Sequence, residues 1–339
     1  MRLAIDALNL RNDRRGMGRI VRAVLQEALA AKIDVTLLTR ERKPWGEEAT
    51  RLASPASASR RALYDAVWYP WNGIRFSAAV PSLAHIHDTF ALVDPQRNWI
   101  ARRRVRKPLW RAAHDATRIA TDSRWSRAQI CRDLGLKEDE IVVIEPAPDP
   151  FFFPAQDDDT PSLPASPYVL IVGAGEPRKN ARFFVAAFAD AFDGAEVRLV
   201  AVGDLADDAV AEARARGIPL VRELADDARL RALYRNAACV AVPSLAEGFG
   251  LVVVEAQACG APVVASNASA LPEAAGGAAL LVAPDDRTGW RDALRSVVRD
   301  ASVAARLRAL GIARWGFRRR DEPARAILAE LANLANDRT

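Results

Sequence analysis

The chain has 339 residues and a mass of 36.9 kDa, which predicts two domains rather than one. Half of its residues are hydrophobic and 27% are charged, so a largely disordered chain is excluded. No apolar run reaches the roughly 18 residues that span a bilayer, and Asp6 interrupts any signal-peptide core. Three widely separated cysteines form neither a disulfide framework nor a zinc pattern, so we expect a reduced, cytoplasmic protein.

Charge is distributed unevenly along the chain. Residues 1–150 contain 26 Lys and Arg and 18 Asp and Glu, a net charge of +8. The whole chain has 48 basic and 43 acidic residues, which leaves 22 and 25 for the remainder and a net charge of −3. A basic first half predicts an anionic partner, for which nucleic acid, a membrane surface and a charged substrate are the candidates.

Strand patterns alternate with helical patterns along the first half. The helical pattern at 19–31 places Ile20, Val24 and Ala28 on one face, and it follows the first apolar strand. Such alternation predicts βα units in a parallel sheet. The predicted strands of this half are 3–5, 35–38, 67–69, 83–86, 119–121 and 141–144.

A proline-rich stretch separates this half from a second set of βα units. Prolines and acids between 145 and 167 cannot continue a sheet or helix, and they predict a linker. The resulting division is a first domain at 1–150, a linker at 151–167, a second domain at 168–314 and a C-terminal segment at 315–339. The predicted elements of the second half are strands 169–172, 197–201, 220–221, 240–242 and 263–265, helices 180–192, 207–216, 227–237 and 250–259, and a last helix from Asp321.

Two glycine loops lie at the carboxyl ends of predicted first strands, where open α/β sheets bind ligands. Gly16 and Gly18 open the first helix, and their backbone N–H groups suit an anion. A dehydrogenase fingerprint needs Gly or Ala at Val21 and an acid at Thr39, so that reading is disfavoured. A turn without a ligand is equally compatible with this loop.

The second loop, residues 173–180, ends in Arg178 and Lys179 at the mouth of a helix. Cations are disfavoured at the positive helix N-terminus. Their presence after Gly173 therefore predicts a multiply charged anion such as a diphosphate, and a solvated Arg-Lys pair is the alternative.

The segment 243–256 carries the strongest signal. Glu247 follows a strand, Gly248 and Gly250 expose backbone N–H groups, and Glu255 lies on an otherwise apolar helix. A carboxylate is costly there unless it is bonded, and a vicinal diol of a sugar supplies two hydrogen bonds. For Glu255 alone, a capping or salt-bridged core acid is the alternative.

This pattern resembles a known family. The sequence Pro-Ser-x-x-Glu-Gly-Phe-Gly-Leu-x-x-x-Glu-Ala at 243–256 is similar to the signature of retaining nucleotide-sugar glycosyltransferases of family 4. His87-Asp88, the Ser-x-x-Ser at 123–126, and 176–180 resemble further motifs of that family. The resemblance implies the GT-B fold, an α/β architecture of two Rossmann-like, doubly wound parallel-sheet domains facing across a cleft, with a C-terminal helix crossing back to the first domain.

The resemblance also implies roles for single residues. Arg178 and Lys179 hold the diphosphate, Glu247 the donor sugar, Glu255 the ribose, and His87 lies near sugar and acceptor; a buried structural His87 is the alternative. Asp88 is expected to position His87 or to cap the next turn. The implied catalytic residues are His87, Glu247, Arg178 and Lys179, and the implied donor-binding residues are Gly16, Gly18, Gly173, Arg178, Lys179, Leu224, Glu247, Gly248, Phe249, Gly250, Leu251 and Glu255.

The implied activity is retaining transfer of a hexose-type sugar from a nucleotide diphosphate sugar to a glycan or lipid-linked glycan, in bacterial surface polysaccharide or lipopolysaccharide biosynthesis. We expect a GDP-mannose-type donor, hence a mannosyltransferase, with a UDP-hexose as the alternative. Because two cations can stabilise the departing diphosphate, we expect no metal and no cofactor. A sugar-nucleotide epimerase and an inactive nucleotide-binding GT-B protein remain alternatives. No recognised module supports a nucleic-acid partner.

Residues 97–111 hold seven basic residues and no acid. Basic side chains beside interfacial tryptophans suit an anionic membrane, so we expect a peripheral protein on the inner face of the cell membrane. Pro108 is expected to limit any helix through the whole stretch. A solvated Arg-rich helix with packed tryptophans is the alternative. The predicted membrane residues are Trp99, Arg102, Arg103, Arg104, Arg106, Lys107 and Trp110.

Overall fold

The protein is described from a computed structural model covering residues 1–11, 13, 16–40, 51–60, 63–93, 99–154, 167–194, 196–316 and 321–337, without the side chains of 93, 99, 101, 102, 105 and 316. The chain divides into two compact units. Unit 1 comprises Met1–Pro146 and Asp321–Thr339, and unit 2 comprises Ala147–Arg320. Residues 155–166 of the predicted linker lie outside the described part.

Unit 1 contains a seven-stranded parallel sheet. Its strands are β1 (Arg2–Asp6), β2 (Asp34–Leu38), β3 (Leu52–Ala53), β4 (Ala66–Tyr69), β5 (Ser82–His85), β6 (Arg118–Thr121) and β7 (Ile141–Val143). Their order is β3-β2-β1-β4-β5-β6-β7, so the winding reverses between β1 and β4. The strands are short and almost wholly buried because helices cover both faces of the sheet.

Unit 2 contains a six-stranded parallel sheet with the same reversal. Its strands are β8 (Tyr168–Ala174), β9 (Arg198–Leu205), β10 (Leu220–Glu223), β11 (Cys239–Val242), β12 (Val263–Ser266) and β13 (Leu280–Val282). The order β10-β9-β8-β11-β12-β13 reverses between β8 and β11. The predicted fold class of two parallel-sheet α/β domains is therefore confirmed.

Twelve helices are described. The last of them, α12, packs against α1 in the core of unit 1, where Ile327 and Leu331 are buried beside Val21 and Val24. The end of the chain thus completes the first unit rather than the second. The helices are α1 (Met17–Ala30), α2 (Phe90–Val93), α3 (Trp99–Asp115), α4 (Arg124–Leu134), α5 (Ala181–Ala191), α6 (Asp207–Ala215), α7 (Asp227–Asn236), α8 (Leu251–Ala258), α9 (Leu271–Ala275), α10 (Arg287–Arg299), α11 (Ala301–Gly316) and α12 (Glu322–Asn336).

The basic stretch forms one helix, and the expectation that Pro108 would limit it was wrong. Helix α3 continues through Pro108 for seventeen residues. The Pro108 carbonyl accepts a hydrogen bond from the Ile74 N–H at 3.0 Å. Gly73 lies so close that a Cβ there would be 2.6 Å from the Pro108 carbonyl carbon. The loop that contains Gly73 and Ile74 packs against the helix, and Leu109 is buried. These contacts support the helix although Pro108 cannot donate a backbone hydrogen bond.

In the part of the chain that the structure describes, no helix has the length and apolar content required to span a bilayer.

Candidate active site

The loops after β8 and β11 lie side by side at the point where the unit 2 sheet reverses. These two strands are neighbours, with Cys239 paired to Val169. Arg178 and Lys179 lie in a short 3-10 turn after β8, and Glu247 lies in the loop after β11. The Leu245 N–H donates to the Arg178 carbonyl at 2.7 Å and joins the loops. Such a reversal is the ligand-binding position of open α/β sheets.

The Glu247 carboxylate lies between the two predicted diphosphate cations. Its Oε2 accepts from Arg178 Nη1 at 2.8 Å, and its Oε1 accepts from Lys179 Nζ at 2.7 Å. Ser244 Oγ donates to the same Oε1 at 2.8 Å. Burial by itself would raise the pKa of Glu247, but the charges of Lys179 and Arg178 outweigh it and hold this pKa below its usual value. Three residues predicted from two separate loops thus form one ionic cluster.

Backbone contacts fix the position of Glu247. The Glu247 N–H donates to Ser269 Oγ at 2.9 Å, and that hydroxyl donates in turn to the Ala268 carbonyl at 2.7 Å. Arg178 Nη1 also donates to the Ala246 carbonyl at 3.0 Å. Ser269 has φ of +53°, which is uncommon for a residue with a side chain. Sequence reasoning gave no role to Ser244 or Ser269, and no local pattern marks Ser269.

Gly250 connects this loop to helix α8. Its φ of +115° is strained for other residues, and a Cβ there would lie 2.8 Å from Leu271 Cδ2. The helix begins at the partly buried Leu251, and Gly248 is partly exposed. The Phe249 side chain is buried in the core of unit 2, so only its backbone is placed to meet a ligand.

Glu255 is buried on α8 and has a partner that the sequence did not reveal. Tyr234 Oη, on α7, donates to Glu255 Oε2 at 3.3 Å. Tyr234 is itself fully buried in the core of unit 2. The expectation that this carboxylate must be bonded is therefore met in part by a phenol of the same unit.

Two further predicted donor residues lie at strand ends of unit 2. Gly173 is exposed at the end of β8 with φ of +64°, and open space surrounds the position of a Cβ. Leu224 follows β10 and is 83% exposed, an unusual position for a large apolar side chain. Its neighbour Glu223 is paired with Arg229 at 3.1 Å. The exposed face of Leu224 is thus available for a flat apolar group.

In unit 1, His87 follows β5 and is held at every polar atom. Nδ1 donates to Asp122 Oδ2 at 2.7 Å, and Nε2 donates to the Pro70 carbonyl at 2.8 Å. The His87 N–H donates to Asn72 Oδ1 at 2.9 Å, and its carbonyl accepts from Ser126 Oγ at 3.0 Å. Contact of this ring with a sugar would require Nε2–H to leave the Pro70 carbonyl.

The hydrogen-bond acceptors around His87 determine the charge of this cluster. Both ring nitrogens of His87 face oxygens that accept hydrogen bonds, which favours the imidazolium form of the ring. Burial would lower the pKa of His87, but Asp122 outweighs it and the pKa is raised. The pKa of the stacked His85 is lowered by burial and by His87, and its Nε2–H donates to Asp122 Oδ1 at 2.9 Å. Burial opposes ionisation of Asp122, yet both histidines lower its pKa.

Asp122 was not among the predicted residues, although a signal for it exists. It follows β6 directly, and β5 pairs with β6 through His85 and Ala120, so His87 and Asp122 leave the sheet side by side. Asp88 instead caps the next turn, since its Oδ1 accepts from the Phe90 N–H at 3.1 Å. Among the described residues, His85, His87 and Asp122 have metal-ligating chemistry, and both histidines are hydrogen-bonded to the Asp122 carboxylate.

Gly16 and Gly18 open helix α1 as predicted. Gly16 precedes the helix with φ of +51°. Gly18 is packed against its own chain, because a Cβ would lie 1.8 Å from the Asp13 carbonyl oxygen. That carbonyl accepts from Arg22 Nη1 at 2.9 Å. Packing alone therefore requires a glycine at position 18, whether or not a ligand binds there.

Helix α3 presents a basic face. Arg103, Arg104 and Lys107 are exposed at helical spacing, and the Arg106 guanidinium lies 5.3 Å from the centre of the Trp110 ring. Trp110 packs partly against the core of unit 1. The side chains of Trp99 and Arg102, also predicted to meet a membrane, lie outside the described part.

Fold and site together define a class: two parallel-sheet α/β units, each with a reversal point, and a charged cluster at the reversal of the second. The family model for glycosyl transferases group 1 matches residues 166–300. The O-antigen chain mannosyltransferase B of Escherichia coli is 31% identical over 265 residues, covering 72% of this chain and 69% of the relative. The chain therefore belongs to the group 1 glycosyltransferases, as the sequence resemblance indicated.

Solved structures agree on the fold. A glycosyltransferase involved in lipopolysaccharide biosynthesis, WaaG, superposes with a TM-score of 0.76 at 14% identity, covering 96% of this chain and 98% of that one. The Anabaena protein HepE, in complex with UDP and glucose, gives 0.73 at 16% identity, covering 98% and 100%. At these identities the likeness establishes the shared GT-B fold alone.

Proposed function

We propose that this glycosyltransferase moves a hexose-type sugar from a nucleoside diphosphate sugar to a glycan or lipid-linked glycan, with retention of configuration. The observation that carries the proposal is the cluster of Arg178, Lys179 and Glu247 at the reversal of the unit 2 sheet. Two cations suit a diphosphate, and a carboxylate among them suits the hydroxyls of the attached sugar. We assign the acceptor to unit 1, where His87 supplies a fixed positive charge.

The chemistry needs no strong base in the protein. The bond between the anomeric carbon and the diphosphate oxygen breaks, and Arg178 and Lys179 stabilise the charge on the departing diphosphate. The acceptor hydroxyl bonds to the anomeric carbon from the same face, and a leaving-group oxygen takes its proton. This agrees with His87, whose ring already carries both protons. We propose that the reaction needs no metal, and full activity in a chelator tests this.

We propose that further residues of unit 2 hold the nucleoside. Glu255 would accept the ribose hydroxyls beside its bond from Tyr234, and the exposed Leu224 would lie against the base. Backbone amides at Gly248, Phe249 and Gly250 would reach the sugar, and Gly173 would allow close approach of the phosphates. These are proposals drawn from the position of each group in unit 2. Gly16, Gly18 and Leu251 keep their proposed donor roles, with Gly18 serving packing as well.

We propose a GDP-mannose-type donor and a role in surface polysaccharide synthesis. Support comes from the O-antigen mannosyltransferase relative, and the UDP complex of HepE makes UDP-glucose the second donor to test. The experiment is release of nucleoside diphosphate from a panel of GDP- and UDP-sugars, with and without a lipid-linked glycan. Acceptor-dependent release supports transfer, whereas an altered sugar nucleotide without release would indicate an epimerase, and binding without turnover an inactive protein.

We also propose that the basic face of α3 binds an anionic membrane. Arg103, Arg104, Arg106 and Lys107 are exposed on one continuous helix that carries no acid before Asp115. Each basic residue near an anionic surface contributes about 1 kcal/mol. A lipid-linked acceptor would be presented at such a surface.

Vesicle co-sedimentation tests the membrane proposal. Changing Arg103, Arg104 and Arg106 to Ser should weaken salt-sensitive binding to anionic vesicles about a hundredfold. A charge-matched control replaces three exposed arginines of unit 2, Arg214, Arg299 and Arg306, with Ser. If the control loses as much binding as the α3 variant, net charge explains the binding and the α3 face does not.

A further inference from the structure

The cations proposed to hold the diphosphate already have an anion of their own. Glu247 lies within 2.8 Å of Arg178 and 2.7 Å of Lys179, and its side chain is 10% exposed. Glu176 also pairs with Arg178, at 2.8 Å, but it is 65% exposed and largely screened by water. Two partly buried cations therefore share one buried carboxylate, and any diphosphate must compete with Glu247 for them.

The carboxylate is also mostly occupied. It accepts three hydrogen bonds, from Arg178, Lys179 and Ser244. A carboxylate offers about four lone-pair positions. In this state Glu247 can accept one further hydrogen bond, whereas a vicinal diol of a sugar donates two. Full engagement of the sugar hydroxyls thus requires at least one present partner to leave.

These two restrictions have one common solution. Phosphate oxygens that take the N–H groups of Lys179 and Arg178 release the positions on Glu247 that sugar hydroxyls need. The Ser244 and Ser269 contacts do not involve the cations and can hold Glu247 in place during the exchange.

We propose that Glu247 is an internal counter-anion of the diphosphate subsite, displaced from Arg178 and Lys179 by the incoming phosphates and handed to the sugar hydroxyls. The inference rests on the proposed function. It has a consequence for the reaction cycle, because only the intact donor supplies both new partners. The nucleoside diphosphate product displaces Glu247 without offering it hydroxyls, so it binds less tightly and leaves more readily.

Calorimetric titration with inorganic pyrophosphate tests the exchange without any sugar or base. Glu247→Gln keeps the shape and removes the competing charge, so we expect pyrophosphate to bind about tenfold more tightly than to the wild type. Glu247→Ala should act in the same direction and serves if the Gln variant does not fold. Glu176→Gln is the matched control, since it removes an exposed carboxylate from the same Arg178 guanidinium, and its dissociation constant should stay within twofold.

Each outcome has a distinct meaning. Unchanged pyrophosphate affinity in both Glu247 variants, with wild-type binding lost in Arg178→Gln, would overturn the counter-anion role while leaving the diphosphate site in place. Equal tightening in the Glu176 and Glu247 variants would show a general charge effect and would also overturn it. If folded wild type and Glu247 variants all fail to bind pyrophosphate, the diphosphate site itself is wrong and the inference fails with it.

Discussion

The charged clusters of the two units are built in opposite ways. In unit 1, His87 has a partner at each of its four polar atoms, and one buried acid, Asp122, matches one buried cation. In unit 2, two cations share the one buried carboxylate of Glu247. The first cluster is balanced and fixes its own backbone. In the second, beside a sheet reversal, two cations share one buried carboxylate, and the other negative charge comes from the exposed Glu176. Two cations with only one buried counter-charge are where an anionic ligand is expected.

This difference separates effects on stability from effects on turnover. Removing a member of a balanced, buried pair leaves its partner charged and unpaired, which costs stability. In unit 2, loss of one cation leaves Glu247 bonded to the other cation and to Ser244, so a single change alters affinity for an anion more than it alters folding.

The double change Arg178→Ala and Lys179→Ala should lower kcat/KM for the donor at least a thousandfold. Both charges that we propose to stabilise the departing diphosphate are lost, which corresponds to roughly 4 kcal/mol or more of transition-state stabilisation. The measurement is the initial rate of nucleoside diphosphate release. Arg182→Ala is the control. Arg182 is an exposed arginine in the first turn of α5, and its loss should leave the rate at the wild-type value. A double variant within tenfold of wild type contradicts the site.

Asp122→Asn should lower the free energy of unfolding by about 3 kcal/mol, because the His87 imidazolium, only 13% exposed, loses its counter-charge. Denaturant titration measures this. Asp115→Asn, which removes an exposed carboxylate, should change stability by less than about 0.5 kcal/mol. Equal stability of the two variants would show that the unit 1 cluster is not a balanced ion pair.

The same cluster predicts a pH window. Burial lowers the pKa of His87 and Asp122 raises it, with a net increase. The contribution of His87 to the free energy of unfolding is therefore complete below about pH 6.5 and is lost as the pH rises through the raised pKa of the folded protein. Because the pKa of Asp122 is lowered, its contribution to the free energy of unfolding is present above about pH 4 and is lost as the pH falls through the lowered pKa of the folded protein. The stability gap between wild type and Asp122→Asn should therefore be widest between these limits. A gap that widens from pH 6.5 to 9 contradicts the assignment.

Glu255→Gln should raise KM for the donor about tenfold with kcat within threefold, since the proposed ribose contact is remote from the breaking bond and would serve binding more than chemistry. Steady-state kinetics with varied donor give both constants. Tyr234→Phe removes only the phenol that donates to Glu255 and should shift KM less. A loss confined to kcat would place Glu255 at the reacting sugar instead.

Ser269→Gly should produce the smallest change. The variant removes the hydroxyl that holds the Glu247 N–H, but it relieves the φ of +53°, so the two effects on stability offset each other to within about 1 kcal/mol. Ser269→Ala loses the hydroxyl and keeps the strained φ, and it should be less stable than Ser269→Gly. Thermal unfolding of the two variants checks the order, and kcat should fall only a few fold in either.

The repeated βα pattern predicted both parallel sheets because buried strands and amphipathic helices differ in hydrophobic period. The two-residue β3 and the short β13 escaped notice, since so few residues carry no period. The segment 243–256 likewise marked Glu247 and Glu255 as candidate site residues, because glycines and acids lie close together in sequence there and follow one strand.

The tertiary structure decided which side chains of the site pair with one another. That Glu247 joins Arg178 and Lys179, almost seventy residues earlier, depends on β8 and β11 becoming neighbours, which no local pattern fixes. Asp122 meets His87 through the pairing of β5 with β6, and Ser269 reaches Glu247 through a loop after β12. Helix α3 passes Pro108 because a distant loop packs against it. Local sequence sets which groups are available and at which strand end, whereas strand order, a long-range property of the packed sheet, sets which of them share a hydrogen bond.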